Sequence, residues 1–498
     1  EMMEVGSSQN VNIIVLCDRS SQSSEEDGYT ARSVGGLPNW TTAKLLRVEK
    51  GKLRELGDWG EVNMGDPNNL KKFLQTVPAQ FPAKHYGLVF GDHGAGWIGI
   101  VSDESANGDS LDTNELSAVF KETSAVTGKL DLIGFDACMM ANFEAAKSIA
   151  PFGKTMVGSE ELEPGNGWNY TPLMSSLAQN PQMDSVALGK RVVDTYRDFY
   201  LGANEGNRDK TVTLAVIDLE KIPALETAVS NLGIYNQSFM KSGGRATWLQ
   251  TAQVRSRAEE YGVHNGQHEY LYDLLDYAEN LKREKVDAQT IQAADAVIAA
   301  VKSAVLYKIN GAAHPHSNGL SIYFPPDAKK ANGDYRATPF SISGKWLPFL
   351  ADYMGVGSAD NKPPQITQVN TTDNEIAKSD VVTVTSKVNA DDIEEATFVL
   401  AQSHDEGEII IGAIPTEPDE NGVLKEEWDG SWFSLGDGKK EMICPITNFE
   451  EVEDGQDEYM VEVPAQVRSQ GSTKWRDVTL YFLIDFKQEE VSGEFIYA

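Results

Sequence analysis

Leu130-Asp131-Leu132-Ile133-Gly134-Phe135-Asp136-Ala137-Cys138-Met139-Met140-Ala141 is the stretch whose reading decides the fold. A continuous apolar run bounded by polar residues suits a strand buried on both faces, as in a parallel sheet covered by helices. The pattern predicts a helix over 139–150 directly after it. A cysteine is therefore expected at a strand's carboxyl end and a helix's amino end. Sites in open α/β sheets form beyond the carboxyl ends of strands, and a helix amino terminus lowers a thiol pKa.

Upstream, Tyr86-Gly87-Leu88-Val89-Phe90-Gly91-Asp92-His93-Gly94-Ala95-Gly96-Trp97 has the same design. A buried strand ends in a histidine set among glycines, which permit tight turns and close approach of another chain segment. Further apolar runs at 11–17, 155–158, 211–217 and 319–324 read as strands of the same sheet. Segments 69–77, 114–123, 185–201, 270–283 and 288–307 read as helices between them. This alternation predicts a three-layer α/β/α sandwich with a mainly parallel sheet.

Gly355-Val356-Gly357-Ser358 and Asp360-Asn361-Lys362-Pro363-Pro364 read as a linker. Beyond it the texture changes to short alternating strands separated by turn residues, which predicts a β-sandwich. The expected division is a catalytic domain over 1–354 and an accessory domain over 366–498.

A thiol beside an imidazole is the minimum for nucleophilic catalysis: the histidine takes or shares the thiol proton, and free main-chain N–H groups hold the developing oxyanion. The plainer reading is a small buried cysteine and an ordinary loop histidine. It suits Cys17, inside an apolar run, and Cys444, in the acidic C-terminal part. For Cys138 the paired strand-end motifs, 45 residues apart, favour chemistry. His264 and His268 lack the intervening glutamate of a zinc helix, and His314-Pro315-His316 reads as a surface loop. No G-x-S-x-G elbow and no complete P-loop is present.

His93-Gly94-Ala95-Gly96-Trp97 and Phe135-Asp136-Ala137-Cys138-Met139-Met140-Ala141 resemble the signatures of the clostripain-like cysteine peptidases, relatives of gingipains, legumains and caspases. Gly60–Pro67, Ser159–Trp168, Ala215–Leu219 and Gly319–Pro325 match in order, so the resemblance covers about 11–354. It implies a caspase-like fold and a cysteine endopeptidase acting on proteins or peptides. Cys138 would be the nucleophile, His93 the general acid–base, and the N–H groups of Gly94 and Cys138 the oxyanion hole. Asp136 would face an Arg or Lys at P1, the residue before the cut. Two departures bear on that preference. Asn166 stands where the family commonly has a second acid, and 94–120 contain no Lys or Arg for self-cleavage. A same-fold peptidase with neutral P1 preference and a catalytically silent binding protein are the competing readings. The resemblance implies no organic cofactor; calcium dependence occurs in relatives, and an acidic surface would permit it. Family habit points to a bacterial, secreted or cell-envelope enzyme.

Composition sets the outer bounds. The 498 residues are 41% hydrophobic and 24% charged, ordinary for a globular protein. The net charge of −32 disfavours nucleic acid and anionic lipid as partners. The excess is concentrated in 361–498, with 30 acidic and 10 basic residues. No apolar run is long enough to span a membrane. The opening Glu1-Met2-Met3-Glu4-Val5 has no signal-peptide pattern and reads as a mature or trimmed start. Three widely spaced cysteines make neither a disulfide framework nor a zinc site.

Overall fold

The computed structural model describes residues 1–19, 32–202, 209–264 and 267–359, and beyond them mainly strand segments between 365 and 492. The expected linker at 360–364, the Asn265-Gly266 pair and Cys444 lie outside the described residues. By compactness the chain forms two units, 1–239 with 257–355, and 240–256 with 356–498.

The first unit opens with a helical turn, α1 (Met2–Val5), and an antiparallel sheet of β1 (Ile14–Cys17), β2 (Lys44–Glu49) and β3 (Lys52–Asp58). There follow α2 (Pro67–Gln80), β4 (Gly87–Gly91), the hairpin β5 (Ile100–Asp103) and β6 (Asp109–Leu111), α3 (Thr113–Thr127) and β7 (Leu130–Asp136). Then come α4 (Phe143–Ile149), β8 (Gly153–Gly158), α5 (Tyr170–Gln179), α6 (Ser185–Tyr200), β9 (Thr213–Asp218) and α7 (Ile222–Ser242). After α8 (Arg245–Ser256) the chain gives β10 (Glu260–Tyr261), β11 (Leu271–Asp273), α9 (Leu274–Arg283), α10 (Ala288–Ala304), β12 (Val305–Asn310) and β13 (Ser321–Tyr323). Two helices, α11 (Pro339–Ser343) and α12 (Trp346–Ala359), complete the series.

The central sheet has the order β12-β9-β8-β7-β4. Strands β4, β7 and β8 run parallel, whereas β9 is antiparallel to both of its neighbours. The sheet is thus mixed, and its parallel part holds the two strand-end motifs. Two expected members lie elsewhere: β1 belongs to the N-terminal antiparallel sheet, and β13 pairs with β11, which pairs with β10. Two strands were hidden in expected helices. Leu271–Asp273 and Val305–Asn310 are too short and too closely joined to α9 and α10 for periodicity to separate them.

Burial on both faces of β7 fixes the layers. Leu132 packs with Val157, Val192, Val193, Tyr196 and Val216 under α6, while Ile133 and Phe135, at alternate positions, are fully buried on the other side. Gly134 is glycine for a packing reason: a methyl group there would lie 2.7 Å from the Trp168 ring. Such overpacking costs about 1–3 kcal/mol.

The second unit is antiparallel wherever its strands pair. Gln365–Thr371 pairs with Val382–Asn389, which pairs with Val423–Trp428, and Glu458–Val467 pairs with Arg476–Asp485. The expected linker start, Gly355–Ser358, is the last turn of α12.

Candidate active site

The cysteine-bearing segment leaves β7 as a turn. Helix α4 begins at Phe143, five residues after Cys138, because Asn142 caps it, its Oδ1 accepting from Ala145 N–H at 2.8 Å. Asn142 Nδ2 also donates to the Met139 carbonyl at 3.0 Å, tying turn to helix. The turn is held from outside as well: Met139 N–H donates to the Glu161 carbonyl at 3.1 Å and Ala141 N–H to the Ser159 carbonyl at 2.7 Å. Met139 accordingly sits at φ +59°, a conformation that a side chain of this size rarely adopts.

This corrects the expected dipole effect. Cys138 is not at the helix terminus, and burial pushes its thiol up. The Glu163 N–H opposes that rise, donating to Sγ at 3.2 Å, and the Glu161 charge adds to it.

The histidine-bearing loop stands next to it. Gly91 and Asp136 are paired in the parallel ladder, so His93 and Cys138 each follow a register partner by two residues. Beyond β4 the chain doubles back: Ala95 N–H donates to Gly99 and Val101 N–H to the His93 carbonyl, at 3.0 and 3.1 Å. The Gly94 N–H is not used in this ladder. Val101 has φ +61°, unusual for a β-branched residue. Gly94 packs on the cysteine turn so closely that a methyl group on it would lie 2.3 Å from the Cys138 carbonyl oxygen. His93 is exposed and Cys138 half-buried.

Two acidic side chains, Asp136 and Glu163, lie beside each other on the segments that flank the thiol. Asp136 Oδ1 accepts from Trp168 N–H at 2.9 Å, and Oδ2 from the Tyr170 hydroxyl at 2.7 Å. Gly167, at φ +60°, lies against the same carboxylate; a methyl group there would meet Oδ1 at 2.7 Å. Asn166 is exposed at the tip of the Pro164–Gly167 turn, which is closed by Gly167 N–H to the Pro164 carbonyl at 2.8 Å. Glu163 was not assigned a role from sequence, although it lies within the matching Ser159–Trp168 stretch. Both of its carboxyl oxygens are buried without a hydrogen-bond partner. Burial and then the neighbouring Asp136 charge push Glu163 well above the usual carboxylate range. Burial also raises Asp136, against its hydrogen bonds from Tyr170 and Trp168. Among the described residues no Lys or Arg forms an ion pair with either acid.

A second buried acid group lies on the other side of the same loop. Asp273 caps α9 through Asp276 N–H and accepts from Asn318 N–H and Nδ2 and from the Tyr261 hydroxyl. Glu160 Oε2 accepts from the Ser317 hydroxyl and from Gly319 N–H. Burial pushes both acids up, Glu160 well above the usual carboxylate range with the Asp273 charge adding to the rise, and Asp273 to about 7. His314, expected in a surface loop, is largely buried, with Nδ1 2.7 Å from Glu259 and Nε2 3.4 Å from Glu161. His268 pairs with Glu260 at 3.0 Å. Among the described residues no group of three or more His, Cys, Asp or Glu is arranged to hold a metal. No helix among them is long and apolar enough to cross a membrane.

The family model described as the clostripain family matches residues 1–351. Clostripain from Hathewaya histolytica is 25% identical over 394 residues, covering 68% of this chain and 73% of its own. A secreted C11 cysteine protease from Bacteroides thetaiotaomicron, solved with an irreversible peptide inhibitor, superposes with a TM-score of 0.48 at 19% identity, covering 70% of this chain and 90% of its own. An inactive zymogen C11 protease from Parabacteroides distasonis gives 0.46 at 21% identity, covering 61% and 84%.

Proposed function

The chain belongs to the clostripain family and is a cysteine-type endopeptidase, and from that premise we propose that Cys138 is its nucleophile and His93 its general acid–base. The observation that carries the assignment is the register: both residues follow paired positions of adjacent parallel strands by two residues, and Gly94 touches the Cys138 main chain. In the proposed reaction His93 takes the Cys138 proton and the thiolate attacks the scissile carbonyl. The N–H groups of Gly94 and Cys138 receive the oxyanion. His93 returns the proton to the leaving amine, and water then releases the acyl group.

The pocket supports an Arg or Lys at P1. Asp136 and Glu163 form a buried acidic environment without a paired cation, and a cation is the group that such a pocket lacks. Asn166 stands at its rim as a neutral acceptor. The acting domain is read as 1–354, with 366–498 as an accessory β-domain that supplies no catalytic group, and the enzyme as a secreted or cell-envelope bacterial protein. Acyloxymethyl-ketone probes with Arg, Lys, Asn or Ala at P1 test these points together. Labelling of wild type but not of Cys138→Ala, strongest with Arg or Lys, is expected. Labelling at another residue would remove the nucleophile assignment, and a preference for Asn or Ala would favour neutral P1.

A further inference from the structure

Loop 159–170 touches both halves of the site. Leaving β8, it receives Ala141 N–H at Ser159 and Met139 N–H at Glu161, then donates Glu163 N–H to Cys138 Sγ. After the Pro164–Gly167 turn it returns to Asp136 through Trp168 N–H and the Tyr170 hydroxyl. Glu163 takes part at both ends. Its main chain holds the thiol, with its carbonyl 3.9 Å from Sγ on the other side, while its carboxyl lies beside Asp136.

We infer that Glu163 couples the Asp136 pocket to the nucleophile: a cation entering against Asp136 draws the Glu163 carboxyl toward itself, and the main chain moving with that carboxyl releases Cys138 Sγ. This rests on the proposed basic P1 pocket. Both oxygens of the Glu163 carboxyl are buried without a hydrogen-bond partner. Two adjacent buried acids do not both ionise, so Glu163 stays protonated beside Asp136. Facing them are Tyr170, Tyr196 and Tyr200, with the Glu1 charge behind Tyr170, and none supplies positive charge. A bound cation supplies it, and Glu163 gives its proton to solvent. Packing then transmits the shift. Its carboxyl oxygens are buried, and Trp168 and Tyr196 beside them are almost fully buried, so displacement passes to the backbone. Pro164 follows directly, and its fixed φ and closed turn make 163–167 move as a body.

The test uses the full chain and n-propylguanidinium, which carries the charge of an Arg side chain without a peptide. Binding is read by thermal shift. Alkylation of Cys138 by neutral iodoacetamide is read by peptide mass spectrometry, which separates it from Cys17 and Cys444. Wild type should bind the cation, release about one proton per cation by calorimetry in two buffers, and alkylate about five- to fifty-fold faster, within the usual range of coupling between sites. Neutral n-propylurea should do none of these. Glu163→Gln should still bind n-propylguanidinium, more weakly, with neither proton release nor acceleration. Absence of binding to wild type would overturn the basic-pocket reading and the coupling with it. Binding without acceleration or proton release in wild type, or equal acceleration in Glu163→Gln or with n-propylurea, would overturn the coupling alone.

Discussion

Loop 159–163 separates two buried acid groups, and they differ in how their oxygens are satisfied. Asp273 receives four hydrogen-bond donors and caps a helix; Glu160 receives two at one oxygen and none at the other. Glu163 receives none at either oxygen, and Asp136 has a hydroxyl and an N–H. Buried polar groups that serve only the fold are usually paired, because an unmade hydrogen bond costs about 1–3 kcal/mol. The first group is therefore the better satisfied, and the second fits the proposed substrate pocket. Acidity alone would not have distinguished them.

The largest effect expected is at the nucleophile. Cys138→Ala should lower turnover by roughly 10⁴-fold or more without lowering Tm, since the removed group is small. Cys17→Ala, in the N-terminal sheet, should leave turnover nearly intact. Comparable losses in both would erase the distinction between site and scaffold.

The comparison itself is tested by one substitution in each group. Asp136→Asn should cost about ten- to hundred-fold in kcat/KM on Arg or Lys substrates, the worth of a charge-assisted hydrogen bond, with Tm unchanged or raised. Asp273→Asn should do the reverse, lowering stability by about 1–3 kcal/mol while P1 preference stays put. Matching profiles for the two variants would show that burial, not partnering, governs both groups.

Glu144, in the first turn of α4, extends the architectural class. It accepts at Oε1 from the Tyr335 hydroxyl at 2.6 Å and Tyr323 N–H at 3.1 Å, its Oε2 being buried without a partner, and burial pushes it up to about 7 from 4.5. The folded state therefore binds the proton more tightly than the unfolded chain. Stability is fully present below pH 4.5 and falls as pH rises toward 7, by about 3 kcal/mol for this group. Glu144→Gln should flatten that part of the stability–pH curve, measured by urea unfolding at pH 5 and 8. An unchanged slope would mean that Glu144 is not protonated in the folded protein.

The smallest effect concerns Asn166. Asn166→Asp should improve Arg and Lys substrates relative to neutral ones, at most by about 1–3 kcal/mol and less for an exposed position. No response would remove Asn166 from the pocket and leave Glu163 as its second acid.

The strands that carry the site were legible because each is a short apolar run closed by glycine or acid. Gly87–Gly91 and Leu130–Asp136 fall within a residue or so of the expected bounds. The turn after Cys138 was not, because Met139-Met140-Ala141 has good helix propensity, and bonds to the neighbouring loop's carbonyls, to the Asn142 side chain and to Ser321 N–H hold it out of a helix. Glu163 was overlooked for a related reason. Its significance lies in lacking partners, a property of three-dimensional packing with no sequence signature. His314 likewise looks like any loop histidine until Glu161 and Glu259 close on it.

Asp136 and Cys138 are two residues apart on one chain segment, the first ending β7 and the second just beyond it. Two residues of extended chain measure about 7 Å at most. Covalent geometry therefore acts as a ruler between the proposed P1-binding group, Asp136, and the proposed nucleophile, Cys138. Drift in the surrounding loops can change how tightly the side chain is held, but it cannot lengthen that ruler. Inserting one residue between them would put grip and cut out of step together, whereas substitutions along 163–170 can retune one without disturbing the other. Variation in substrate taste should therefore collect in loop 163–170 and spare the stretch from Asp136 to Cys138.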